Sequence, residues 1–131
     1  MNAIRRSAIV VGAASLAAAS SLALAPSVTA AEAPTKGCAY PRVCFYLKKA
    51  DYDANSPTAA FQDVTSTWQN LGSSSRGADF VVNTRNDDVA YLRVQNNYGD
   101  VWTECMSPNS SRYYSTPYTL TGIRISTSSS C

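Results

Sequence analysis

Four cysteines, Cys38, Cys44, Cys105 and Cys131, constrain this chain more than any other feature, because all of them follow a segment with the marks of an export leader. In that segment Arg5 and Arg6 precede an apolar stretch from Ala8 to Leu24, and Val28, Thr29 and Ala30 supply a small-x-small cleavage pattern. Gly12, Ser15, Ser20 and Ser21 interrupt the apolar stretch, whereas a spanning helix needs about 20 strongly apolar residues. The sequence therefore predicts a signal peptide over 1–30, a flexible lead-in over 31–37 and a single secreted domain over 38–131, with no membrane span. Outside the cytoplasm disulfides persist, and four thiols in a domain of about 100 residues read as two staples.

Four cysteines allow three pairings. Cys38 and Cys44 bracket a short turn containing Pro41, and a bridge from Cys105 to Cys131 would close the chain end onto the body, so this pairing is expected. The loop-entropy model values the two bridges at about 2 and about 4 kcal/mol respectively. A structural zinc is the other use of four cysteines, but there is no C-x-x-C pair and no histidine, so no metal site is expected.

The absence of histidine also removes Ser-His-Asp and Cys-His catalysis and any imidazole acid or base near neutral pH. Paired carboxylates remain, yet Asp51 with Asp53 and Asp87 with Asp88 sit among polar, turn-forming residues that leave such groups solvated. The expectation is a non-enzyme without a cofactor. Charge narrows the partners in turn. The leader holds two of the eleven basic residues and none of the nine acids, so the domain that follows carries nine of each. Its basic residues are scattered, Lys48 and Lys49 forming the only adjacent pair, which argues against nucleic acid or an anionic membrane as the main partner.

The local pattern is that of strands. Val43 to Leu47 and Phe80 to Asn83 are rich in β-branched and aromatic residues, Val89 to Val94 alternates, and Leu120 to Ile125 sets Ile123 and Ile125 on one face with Arg124 on the other. Turn clusters separate them at 53–57, 72–77, 85–88, 96–100 and 107–112. Thr58 to Trp68 is the best helical candidate, limited to a single turn by Val64, Thr65 and Thr67. Short strands between turn signals predict an all-β fold, a small antiparallel β-sandwich or Greek-key domain stapled by disulfides. An internal repeat sharpens this expectation: the segment from Val43 to Asp53 aligns with that from Val89 to Asp100, each with Tyr-Leu, a base, a polar turn and a second Tyr. Phe80-Val81-Val82 and Gly122-Ile123-Arg124-Ile125 follow at similar distances, as two copies of a four-stranded unit would require.

At these residues the chain resembles βγ-crystallin-type Greek-key proteins, and more closely the secreted bacterial peptidase inhibitors of the Streptomyces metalloproteinase inhibitor type. The resemblance rests on the start from Cys38 through Cys44 to Tyr46, the Asn97-Tyr98-Gly99 turn and the segment Ala78 to Thr84. It implies two Greek keys and an inhibitor of an extracellular protease, a metallopeptidase first of all, acting as a monomer through a rigid exposed loop. Where such domains bind calcium, this chain has Ser75 to Phe80 with Arg76, and Pro117 to Gly122 without acids, so no calcium site is expected. The inhibitory loop is assigned to Glu104, Cys105, Met106, Ser107, Pro108 and Asn109, which join a strand to a turn beside a disulfide and offer Met106 to an extended cleft. Core packing of Met106 and Trp102 is the competing expectation. The competing function is a non-catalytic extracellular or cell-envelope binding module, with Tyr113, Tyr114 and Tyr118 as its surface.

Overall fold

The computed structural model describes residues 35–131; the expected signal peptide over 1–30 and most of the expected lead-in over 31–37 lie outside the described residues. Along the chain run β1 (Val43–Tyr46), α1 (Lys49–Asp53), β2 (Ala59–Phe61), β3 (Gln69–Asn70), β4 (Phe80–Asn83), β5 (Val89–Gln95), β6 (Val101–Met106), β7 (Ser110–Tyr113) and β8 (Thr119–Ser126). These strands make two antiparallel sheets of four, in the orders β2-β1-β4-β7 and β3-β8-β5-β6.

Side-chain alternation explains how the sheets are filled. In β5, Ala90, Leu92 and Val94 enter the core while Tyr91, Arg93 and Gln95 are half-buried on the other side. From β8, Leu120, Ile123 and Ile125 meet them, with a register shift opposite Arg93 and Val94. In β1 every residue is buried, because both of its faces are covered. Val43 and Phe45 belong to the main core; Cys44 and Tyr46 belong to a second cluster with Cys38 and Val82, against which Tyr52 and Phe80 pack. The unbroken apolar run Val43-Cys44-Phe45-Tyr46 is what a strand covered on both sides requires.

The two sheets share one plan. β1, β2 and β4 stay together, and the strand between β2 and β4 in sequence, β3, crosses to the other sheet. Likewise β5, β6 and β8 stay together, and β7 crosses back to pair with β4. Thus β1 and β5 occupy corresponding places, as do β4 and β8, which are the segments that the sequence repeat aligns. Because each half supplies an edge strand to the other, neither half has a complete sheet alone.

Several local expectations are corrected. The helical turn lies at Lys49–Asp53, where the Asp51 carboxylate accepts from the Lys48 backbone N–H at 3.0 Å, a local cap. The Thr58 to Trp68 segment forms no helical turn: the Thr58 N–H donates to the Phe45 carbonyl at 2.8 Å, Ala59–Phe61 pairs with β1, and Val64 bridges to Ile125. Strands β2, β3, β6 and β7 had no separate expectation, and β7 begins inside the segment expected to be a turn. The end of the lead-in is held down, with the Tyr46 hydroxyl donating to the Lys36 carbonyl at 2.8 Å.

Two disulfides join Cys38 to Cys44 and Cys105 to Cys131. No described helix is long and apolar enough to cross a membrane.

Candidate functional site

The segment from Glu104 to Asn109 is divided by the fold. Glu104, Cys105 and Met106 are the last residues of β6, paired with Leu92, Tyr91 and Ala90 of β5. Met106 is only 1% exposed and lies in the main core, so it is not presented to a cleft; packing took the side chain that the loop assignment needed. Trp102 also packs against that core, as the competing expectation held. Only Ser107, Pro108 and Asn109 form a connecting turn. It is well tied: Asn83 Nδ2 donates to the Ser107 carbonyl at 3.1 Å, and the Asn109 N–H donates to the Arg85 carbonyl at 2.9 Å.

Glu104 is occupied as well. Its carboxylate accepts hydrogen bonds from Trp102 Nε1 at 3.1 Å, from Arg112 Nη1 at 2.8 Å and from the Tyr114 hydroxyl at 3.1 Å. Partial burial alone would raise its pKa, but these hydrogen bonds and the Arg112 charge outweigh it and hold the carboxyl below its ordinary value. Burial, then the Glu104 charge, pushes the Tyr114 phenol upward. A carboxyl depressed in the native state stabilises the fold fully above its unfolded-state value, and that contribution disappears as pH falls through the native value. Glu104→Gln should therefore flatten the acid limb: between near-neutral pH and about pH 3 it should lose less stability than the parent in urea titrations. Equal acid sensitivity in the two proteins would contradict the depressed Glu104 carboxyl.

The opposite end of the β5–β6 pair carries a different loop, whose sequence reads only as a turn. Residues Asn96 to Asp100 turn the chain, and Asn96 organises them. Its Oδ1 accepts from the N–H groups of Tyr98 and Asp100, both at 2.9 Å, while its Nδ2 donates to Asp100 Oδ2 at 2.9 Å. Backbone bonds from Asn96 N–H to the Asp100 carbonyl at 3.0 Å and from Gly99 N–H to the Asn96 carbonyl at 3.2 Å close the turn. Gly99 has φ of +92°, a conformation that side-chain-bearing residues rarely adopt. At the tip stands Tyr98, 85% exposed, the most exposed large apolar residue among those described. Val101 and Tyr118 are exposed at the same end, Tyr118 packing edge-on against Trp102. The signal was legible in principle: Asn, Gly and Asp around one aromatic are the residues that build a tight turn and leave the aromatic outside it.

The three late tyrosines do not form one surface. Tyr114 is buried on Glu104, Tyr118 lies with Trp102, and Tyr113 joins Phe80 and Tyr52 in a row on the first sheet. In that row Tyr52 stacks on Phe80 at 4.3 Å and Phe80 meets Tyr113 at 4.7 Å in a tilted pair, which leaves Tyr113 exposed.

Among the described residues no group of three or more His, Cys, Asp or Glu is placed to hold a metal ion. A polar depression lined by Arg42, Phe61, Gln62, Asp63 and Gln69 opens at the edge of β2. No family model, curated protein or solved structure matches the chain.

Proposed function

We propose that this chain is an exported, non-catalytic inhibitor of an extracellular peptidase, with a metallopeptidase as the first class to test, and that it engages its target through the Asn96–Asp100 hairpin. One observation carries the assignment: Tyr98 is 85% exposed on a turn whose backbone is held by the side chain of Asn96. A loop already ordered before binding loses little entropy in the complex, which favours affinity. A large aromatic at its tip is the kind of anchor that dominates interfaces. The metallopeptidase class comes from the resemblance to secreted inhibitors; two disulfides suit an oxidising extracellular compartment. The strand plan, three strands kept and one exchanged in each half, supports a pair of Greek keys of βγ-crystallin type. A sugar-binding envelope module fits less well, because Tyr52 and Phe80 stack on each other and leave Tyr113 as the one exposed ring of that row.

The experiment is a titration of thermolysin-like, subtilisin-like and trypsin-like peptidases with the purified protein, wild type against Tyr98→Ala. At least one class should lose activity stoichiometrically, and Tyr98→Ala should weaken inhibition about 30-fold or more, the scale of a hot-spot residue, with an unchanged melting temperature. No inhibition of any class at micromolar protein would sink the proposal, and retention on peptidoglycan, chitin or cellulose would then favour the envelope module.

A further inference from the structure

Two arginines that are far apart in sequence, Arg93 and Arg124, lie against one ring, Trp68, on the second sheet. Tyr91 of β5 pairs with Arg124 of β8, and Arg93 pairs with Gly122. Trp68, the residue before β3, completes the group. The Arg124 guanidinium lies 4.9 Å from the Tyr91 ring centroid and 5.5 Å from that of Trp68, and the Arg93 guanidinium lies 5.4 Å from Trp68. Aromatic faces thus hold both guanidinium planes.

Their hydrogen bonding is uneven. Arg93 Nε donates to Thr121 Oγ1 at 3.1 Å, and its Nη2 donates to Asn70 Oδ1 at 2.7 Å and to the Thr121 carbonyl at 3.3 Å. Arg124 Nε is buried without any hydrogen-bond partner, the one such side-chain atom among the described residues. Neither arginine takes part in an ion pair among those residues, where the pairs are Lys49–Asp53, Arg85–Asp88 and Arg112–Glu104. Gly122 makes room for this arrangement: a Cβ there would come within 2.9 Å of Arg93 Nη2 and 3.0 Å of its Cζ and Nε.

A buried, charged N–H without an acceptor is costly, and a guanidinium clamped on its faces can still bond through its edge. Arg124 is only half-buried, and oxyanions supply acceptors for the part of its guanidinium edge beyond Nε, since carboxylate, sulfate and phosphate all match the guanidinium fork. We infer that Arg124 and Arg93 form an oxyanion-binding site on the second sheet, with Trp68 and Tyr91 fixing the orientation of Arg124. The site binds a free oxyanion or the same group carried on an acidic polymer, independently of the Tyr98 hairpin.

The test is an NMR titration of the 15N-labelled protein, following the Arg124 Nε–Hε resonance, with sodium sulfate in one arm and a sulfated disaccharide in the other, at constant ionic strength. Saturable shifts are expected in both arms. Equal affinity per sulfate assigns the site to the free ion, and tighter binding of the disaccharide assigns it to a polymer-borne group. Arg124→Lys, which keeps the charge and loses the fork, should weaken binding roughly tenfold, and Gly122→Ala, which displaces the Arg93 guanidinium, should weaken it severalfold. Tyr98→Ala should bind as the parent does, which separates this site from the peptidase proposal. Shifts that never saturate, or unchanged affinity in Arg124→Lys, would overturn the site.

Discussion

Arg85→Ala should lower the unfolding free energy by about 3 kcal/mol, because it strips the partner from a largely buried carboxylate. The two side chains are 11% and 13% exposed, so solvent screens the pair little. Arg85 Nε donates to Asp88 Oδ2 at 2.6 Å, and Nη1 donates to the carbonyls of Pro41 at 2.7 Å and Gln62 at 3.1 Å. One side chain thus ties the β4–β5 connection to the loop before β1 and to the end of β2. Asn83 supports it from below, accepting from the Arg85 N–H at 3.0 Å and donating to the Asp88 carbonyl at 3.0 Å. At roughly 4–8 °C per kcal/mol for a domain of this size, the melting temperature should fall by roughly 10–25 °C. Arg85→Ala with Asp88→Ala should recover part of that loss, since no charge is then left buried alone. Calorimetry on the parent and the two variants distinguishes a buried ion pair from a simple surface staple: a loss under about 1 kcal/mol would place Arg85 in the surface class.

Removing either disulfide should cost about 4 kcal/mol, although chain entropy alone separates the two bridges by about 1.3 kcal/mol. The bridge from Cys105 to Cys131 closes the longer loop, with a separation of 26 residues against 6, and its stabilisation is mainly entropic. Cys131 is exposed and Cys105 only half-buried, so few contacts are lost with them. Cys38 and Cys44 are each 1% exposed, inside the cluster that covers Tyr46 and Val82. Replacing them by alanine removes two buried sulfurs, worth roughly 1 kcal/mol each at about 0.8 kcal/mol per buried methylene-sized group. Burial therefore offsets the shorter loop. Urea titrations of Cys38→Ala/Cys44→Ala and Cys105→Ala/Cys131→Ala should give the first pair a loss at least as large as the second. If the first pair costs about 1.3 kcal/mol less, loop entropy alone governs and the second cluster adds nothing.

Where a strand carries its own pattern, it was legible. β4, β5 and β8 show β-branched runs or alternation, and the sequence expectation falls on them within a residue or two at each end. β2 and β3 are three and two residues long, too short for any periodicity, and are strands only because β1 and β8 pair with them. β7 reads as a turn because Ser110-Ser111-Arg112-Tyr113 is polar and solvent-facing; its partner β4 makes it a strand. The same cause displaced the proposed loop. Glu104 to Met106 resemble a connection, yet their backbone pairs with β5 and Met106 fills the core. Local composition reports which residues can turn, not which backbone a neighbouring strand will recruit. The arginine pair on the second sheet was invisible for a related reason: its members are brought together by register alone.

Tyr98 stands on a turn whose hydrogen bonds order it before any partner arrives, and backbone 15N relaxation of the free protein reads that order. Tyr98 and Asp100, whose N–H groups are held by Asn96 Oδ1, should show order parameters near the rigid value of about 0.85, like the flanking strands. Values below about 0.6 at Tyr98 would mean a mobile tip, and would contradict the account.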